Sequence, residues 1–490
     1  MKKILFLLVV ALVLTSCSKQ EEAWVKPEKN SVFYEIFVAS FYDSDGDDMG
    51  DLKGVIEKLD YIQKDLGATG IWLMPISPSP SYHKYDVKDY KAIDPDYGTM
   101  EDFDALVLEM NNRGMDLILD LVLNHSSREH PWFLEAVKEK RQDDCSALCD
   151  YYNFSDKPMP GYREISQGLY YESVFSDTMP DLNLDSTDVR DEIEDITKFW
   201  LDKGVSGFRL DATTHFYAED LNRNVEFLSW FNDYAKSIDP EVILVGEAWT
   251  GDSIVQKMYA SGISFFNFGL SQNTGRLVKD IKRKDGLGLA QYMAQYQRTI
   301  EEINPGAVDS IFYSNHDHGR SASYFANNLK RQKLAASIYL LLPGNVYIYY
   351  GEEIGMKGSG KDENKRLPMV WGSDSGLTRK PSGADYPSGI DNSVMEDLKN
   401  KDSLLNHYAN VVKVRNAHPE IMRGLGKPID MGNKELFAME LNGTIVVHNL
   451  GDEKHLLPNN YEIIDSSLGG TLGNEGVSIE SMASVIIRAK

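Results

Sequence analysis

Val205-Ser206-Gly207-Phe208-Arg209-Leu210-Asp211-Ala212-Thr213-Thr214-His215 begins as a strand and ends as a loop. Residues two apart on a strand share a face, so Arg209 and Asp211 point the same way. An arginine fixed beside an aspartate favours the charged carboxylate. Such a carboxylate is a poor proton donor and a candidate nucleophile. Taken alone, the stretch also reads as a structural ion pair at a strand end. Its surroundings decide between the two.

Outward from it, strand-like and helix-like segments alternate. Residues 32–42, 70–76, 115–123, 205–211, 242–247, 263–268, 310–314 and 346–350 are apolar, β-branched or aromatic runs that read as strands. Helical spacing follows each in turn: 54–66, 100–112, 189–203, 224–238, 254–260, 289–303, 330–342 and 404–416. In the first of these helices Val55, Ile56, Leu59, Ile62 and Leu66 fall on one side. Gly114 and Pro343-Gly344 supply helix stops. Eight strand–helix pairs predict a parallel sheet closed into a (β/α)₈ barrel. Residues 126–185, after the third strand, read as an irregular inserted lobe. From residue 424 to 490 short alternating strands with Gly and Asn turns predict an all-β sandwich domain. The barrel then spans 31–423.

The chain has 490 residues, 42% of them hydrophobic, and a formal charge of −24. That charge argues against nucleic acid as a partner, since its binders carry basic faces. Lys2 and Lys3 precede an apolar run, 4–14, too short to span a bilayer. Leu14-Thr15-Ser16-Cys17 closes it and resembles a bacterial lipoprotein cleavage box. The reading is a signal peptide over 1–16, a lipid on Cys17 and a polar tether over 17–30. An ordinary secretory signal is the alternative. The membrane is then a partner through this anchor only, and the protein is extracytoplasmic. The remaining cysteines, Cys145 and Cys149, either pair across a very short loop or stay free.

In such a barrel the active site lies at the C-terminal ends of the strands. Asp120 to His125 end the third strand, and Arg209 with Asp211 the fourth. Gly246-Glu247-Ala248-Trp249 end the fifth, and Asn315-His316-Asp317 the seventh. Carboxylates on adjacent strands four and five can face each other at the roughly 5–5.5 Å a retaining glycosidase needs. Asp211, beside Arg209, suits the nucleophile. Glu247 follows an apolar strand and lies near other carboxylates, which raise a pKa as a general acid requires. Asp317 adds a third negative charge.

With these motifs in order, the chain resembles the α-amylase family of glycoside hydrolases. The resemblance covers nearly everything after the tether. It implies Asp211 as nucleophile, Glu247 as acid/base and Asp317 as transition-state stabiliser. It implies His125, Arg209 and His316 as binders of the sugar at the cleavage point. Tyr85-Asp86 match the family's stacking tyrosine and neighbouring aspartate, although core packing alone explains a tyrosine. Two positions depart from the pattern. Lys84 stands where many relatives have glycine. Thr214 stands where many have a lysine on the leaving side.

Calcium is the expected cofactor. Asp43-Ser44-Asp45-Gly46-Asp47-Asp48-Met49-Gly50-Asp51 alternates acidic side chains in a glycine-bearing loop, as an oxygen-seeking ion wants. It resembles the family's calcium loop, with Asp43, Asp45, Asp47, Asp51 and the Met49 carbonyl as ligands. A solvated acidic turn is the alternative. Asn124, Asp181 and His215 match the family's site between barrel and lobe, with capping and core hydrogen bonding as the alternative. The reading is a retaining hydrolase of α-1,4 links in α-glucans or maltooligosaccharides. Its rivals are an exo-acting α-glucosidase, a glucanotransferase and a non-catalytic glucan-binding surface protein.

Overall fold

The computed structural model describes residues 32–166, 168–218, 220–386, 392–473 and 476–490. The signal peptide and the whole tether, Cys17 included, lie outside the described residues. Eight parallel strands form the barrel: β1 Val32–Ile36, β2 Gly70–Leu73, β3 Asp116–Leu121, β4 Gly207–Leu210, β5 Ile243–Gly246, β6 Ser264–Phe265, β7 Ser310–Phe312 and β8 Asn345–Tyr349. Neighbours pair in order from β1 to β6, β7 pairs with β8 and β8 with β1, and a parallel bridge from Phe266 to Ser310 joins β6 to β7 and closes the ring.

The two-residue period places the site. Phe33, Trp72, Ile118, Val245, Phe266, Phe312 and Tyr347 form one buried cluster. Two residues on from Phe33, Ile118 and Val245, on the same face, come Glu35, Asp120 and Glu247. An apolar plug therefore fills the barrel beneath a polar layer. Glycine draws β4 and β5 together. A Cβ on Gly207 would sit 1.9 Å from the Ile243 carbonyl oxygen. On Gly246 it would meet the Phe265 ring at 2.5 Å.

Several elements differ from the expectation. β1 stops at Ile36, and a 3₁₀ turn, Val38–Ser40, bends the chain toward the acidic loop. The backbone of that loop is anchored on this turn, Gly50 N–H donating to Ala39 and Asp51 N–H to Tyr42. The helix expected over 54–66 is an α-helix, Leu52–Glu57, followed by a π-helical turn, Tyr61–Asp65. A short helix, Arg276–Arg283, was not anticipated.

The inserted lobe is not irregular. It holds a helix, Pro131–Gln142, and three antiparallel strands, Phe154–Ser155, Tyr162–Ser166 and Leu169–Glu172. Pro131 opens the helix, His130 caps it, and Phe133, Ala136 and Val137 are buried at helical spacing. Among so many polar and aromatic residues those three do not stand out. Cys145 and Cys149 form a disulfide just beyond this helix.

After the barrel, Lys427–Pro428, Leu436–Leu441, Thr444–Asn449, Ser484–Ala489 and Tyr461–Asp465 form one antiparallel sheet. His455–Leu456, Gly476–Ile479 and Gly470–Gly473 form another. Ala438, Val447, Val477 and Val485 belong to one core shared by the two. This is the expected C-terminal β domain. Among the described residues no helix is long and apolar enough to cross a membrane.

Candidate active site

Arg209 is the hub. Register sets it beside Asp120 on β3 and Val245 on β5. Its Nη1 donates to Asp120 at 2.7 Å and to Asp211 at 2.6 Å, and its Nη2 reaches Glu247 at 2.8 Å. The sequence reading paired it with Asp211 alone. The structure has one buried guanidinium holding three carboxyl groups, more acid than its single charge can balance.

The carboxyls are not equivalent. Burial pushes Glu247 up to about 7, helped by Asp211 and Asp317, against the pull of Arg209 and the Ala212 N–H. Burial likewise raises Asp120 to about 6. Burial also opposes charge on Asp317, but His316, Arg366 and Arg209 hold its carboxyl well below the usual range. His316 Nε2 lies 2.9 Å from Asp317, and its Nδ1 lies 2.6 Å from Glu35. Those two carboxylates overcome the burial and push His316 up to about 10, so it is a cation at neutral pH.

Tyr85 closes one wall. Its hydroxyl donates to Asp120 at 3.0 Å and lies 2.7 Å from His316 Nε2, and its ring stacks on the imidazole. Asp86 is buried and accepts from the Ser79 and Ser81 hydroxyls. His125 is buried, and desolvation keeps it neutral. Its Nε2 has no partner among the described residues. A cavity of about 380 Å³ joins His83, Tyr85, His125, Asp211, Glu247 and Asp317 with Phe175, Met179, Trp249, Asp362 and Arg366. Tyr85, His125, Asp211, Glu247 and Asp317 line the cavity, and Arg209 and His316 are bonded to residues that do, whereas Asp86 is held by Ser79 and Ser81.

A family profile described as "Alpha amylase, catalytic domain" matches residues 35–424. The chain belongs to the α-amylase family. Alpha-amylase 3 of Dictyoglomus thermophilum is 38% identical over 95% of this chain and 93% of its own length. A glucan 1,6-alpha-glucosidase of Streptococcus pneumoniae is 31% identical over 89% of this chain and 92% of its own. The solved structure of Eubacterium rectale Amy13B superposes with a TM-score of 0.89 at 37% identity, covering 94% of this chain and 96% of that one. A second profile, the prokaryotic membrane lipoprotein lipid attachment site, matches residues 1–18.

This member of the α-amylase family departs from the pattern at Lys84 for a visible reason. Its φ is +67°, the left-handed conformation glycine favours. The lysine tolerates it because its buried ammonium sits 2.6 Å from Asp94 and 3.7 Å from Asp96. Arg366 was missed. It comes from the long segment after β8, where no periodicity marks a site. Its Nη2 lies 3.2 Å from Asp317, and its Nη1 donates to Tyr82 and Asp362. Glu35 was missed too, hidden in what reads as an ordinary buried strand.

The acidic loop gathers carboxylate oxygens of Asp43, Asp45 and Asp51 within 4.8 Å of one another. Three hard oxygen donors in that space fit an ion such as calcium. Burial raises the Asp43 carboxyl, but the N–H groups of Gly46, Asp48 and Asp45 outweigh it and hold it low. Asp47 is exposed and accepts from the Met49 N–H. Asp51 accepts from Ser44 and caps the following helix through the Gly54 N–H. At the second candidate site Asn124 donates to Asp181 at 3.1 Å, and burial pushes Asp181 up to about 7. The His215 ring packs instead on Phe175, with centroids 4.8 Å apart.

Proposed function

We propose that this enzyme hydrolyses α-1,4 links of α-glucans and maltooligosaccharides with retention of configuration. The observation that carries the proposal is the sharing of Arg209. Asp211 and Glu247 share its two terminal nitrogens, and burial brings Glu247 up to about 7, where it can both give and take a proton. Two carboxyls on one guanidinium suit the short separation of a retaining pair rather than the wider gap of an inverting one. Asp211 attacks the anomeric carbon while Glu247 gives its proton to the leaving oxygen. Glu247, now a base, takes a proton from water, whose oxygen displaces Asp211 from the sugar. Asp317, held charged by His316 and Arg366, stabilises the positive charge that develops on the sugar. His125, Arg209, His316, Tyr85 and Asp86 bind the sugar at the cut.

The α-1,4 preference rests on Ala212. In the family alanine after the nucleophile tends to accompany α-1,4 cleavage, and valine α-1,6. Here that residue lines the cavity at φ +49°, a conformation a β-branched side chain resists. The 1,6-α-glucosidase relative keeps exo-acting α-glucosidase as the second reading, and a glucanotransferase would use the same groups. Calcium on Asp43, Asp45, Asp47, Asp51 and the Met49 carbonyl, and on Asn124, Asp181 and His215, would add stability to the native state. The lipoprotein profile supports acylation of Cys17 and an extracytoplasmic, anchored enzyme, with the tether over 17–30, the barrel over 31–423 and the β domain over 424–490. A product time course from end-labelled maltoheptaose tests the reading. Mixed short oligosaccharides at early times support it. Isomaltotriose cleaved faster than maltotriose would overturn the linkage.

A further inference from the structure

Trp249 is 51% exposed, although it follows buried Glu247 by only two residues. Its indole walls the catalytic cavity beside the carboxyl that faces the leaving oxygen. Phe268 supports it from behind, with planes 10° apart and centroids 5.6 Å apart. His318 supports it from the side, at 66° and 4.6 Å.

His318 is the unusual member. It is 7% exposed, and neither ring nitrogen has a hydrogen-bond partner among the described residues. Phe268 and Phe312 complete its surroundings, at 5.9 and 6.1 Å. Burial pushes its pKa down to about 4, so the ring is neutral. The ring packs instead against Trp249, Phe268 and Phe312. Buried polar atoms without partners are rare, and each calls for a reason. Its backbone is fixed by the turn that also places Asp317, through the Asn315 carbonyl. The leaving-side lysine of many relatives is absent, and the Thr214 hydroxyl lies 3.2 Å from His215.

We infer that His318 is a positioning residue that holds Trp249 as the platform for the sugar on the leaving side of the cut. The face of C–H bonds on a pyranose matches the electron-rich face of the indole. That platform supplies the recognition a lysine at position 214 would give. The inference rests on Glu247 being the proton donor.

The test compares two substrates. Maltoheptaose places sugar on both sides of the cut, and α-maltosyl fluoride only on the glycone side. The readout is the ratio of their kcat/KM values. Trp249→Ala and His318→Ala should each lower the ratio at least about tenfold, the usual consequence of truncating an anchor. His318→Phe restores a ring and should bring the ratio back toward that of the natural enzyme. The double variant should be no worse than Trp249→Ala, since one residue acts through the other. An unchanged ratio in either alanine variant overturns the inference. Equal loss on both substrates in His318→Ala also overturns it, because the histidine would then support the cavity as a whole. Failure of the natural enzyme to release fluoride would instead bring down the assignment of Asp211 and Glu247.

Discussion

Glu247 lies 2.8 Å from Nη2 of Arg209, yet its carboxyl is pushed up to about 7. A buried ion pair this close ordinarily holds a carboxyl ionised. Here desolvation and the charges of Asp211 and Asp317 outweigh the guanidinium, which is shared three ways. Glu247 therefore titrates close to neutral pH rather than in the ordinary carboxylate range.

One consequence is a pH limb. The acid form of Glu247 is the active one in the first step, so kcat/KM on maltoheptaose should fall as pH rises through about 7. Fluoride departs without a proton, so this limb should be weak or missing with α-maltosyl fluoride. A limb equally steep for both substrates would remove Glu247 from that role.

Lys84 carries a stability prediction. Lys84→Gly relieves the left-handed backbone but leaves Asp94 buried without its ammonium. Losing one partner of a buried pair costs more than the relief returns, so a net loss of about 2–3 kcal/mol is expected. Urea unfolding measures it, and a more stable variant would contradict the account.

Removing the metal should matter to stability. A ligand bound only to the native state adds stability by mass action, about 2.7 kcal/mol at a hundredfold excess over Kd. Chelator should therefore lower the melting temperature, and Asp45→Ala should make the protein less sensitive to chelator. No calcium in the purified protein, with no change on chelation, would refute the loop as a metal site.

The anchor is tested by fractionation. Cys17→Ala removes the thiol that takes the lipid, so the protein should move from membranes to the soluble fraction. Stable attachment takes more than one acyl chain, as a lipoprotein cysteine provides. A variant that still sediments with membranes would contradict this.

The barrel was legible because period and count agree. Eight apolar strands each followed by a helical spacing leave few other folds, and chemistry at strand ends then marks the mouth. The strand-end positions of Asp211, Glu247 and Asp317 are what made them candidates. What the sequence hid lies where no period exists. Arg366 is one charge in a long segment, and only the fold carries it to Asp317. The lobe helix at Pro131 was hidden by its polar composition. The sharing of Arg209 was hidden because its partners Asp120 and Glu247 lie far from it along the chain and only strand register sets them beside it.

The central claim is that Asp211 forms a covalent bond to the sugar. Proton NMR of product released in the first minutes of maltoheptaose hydrolysis tests it most directly. Two inversions predict the α-anomer at the new reducing end, decaying to the equilibrium mixture afterwards. Fresh β-anomer would mean that water attacks directly, and Asp211 would then not be a nucleophile.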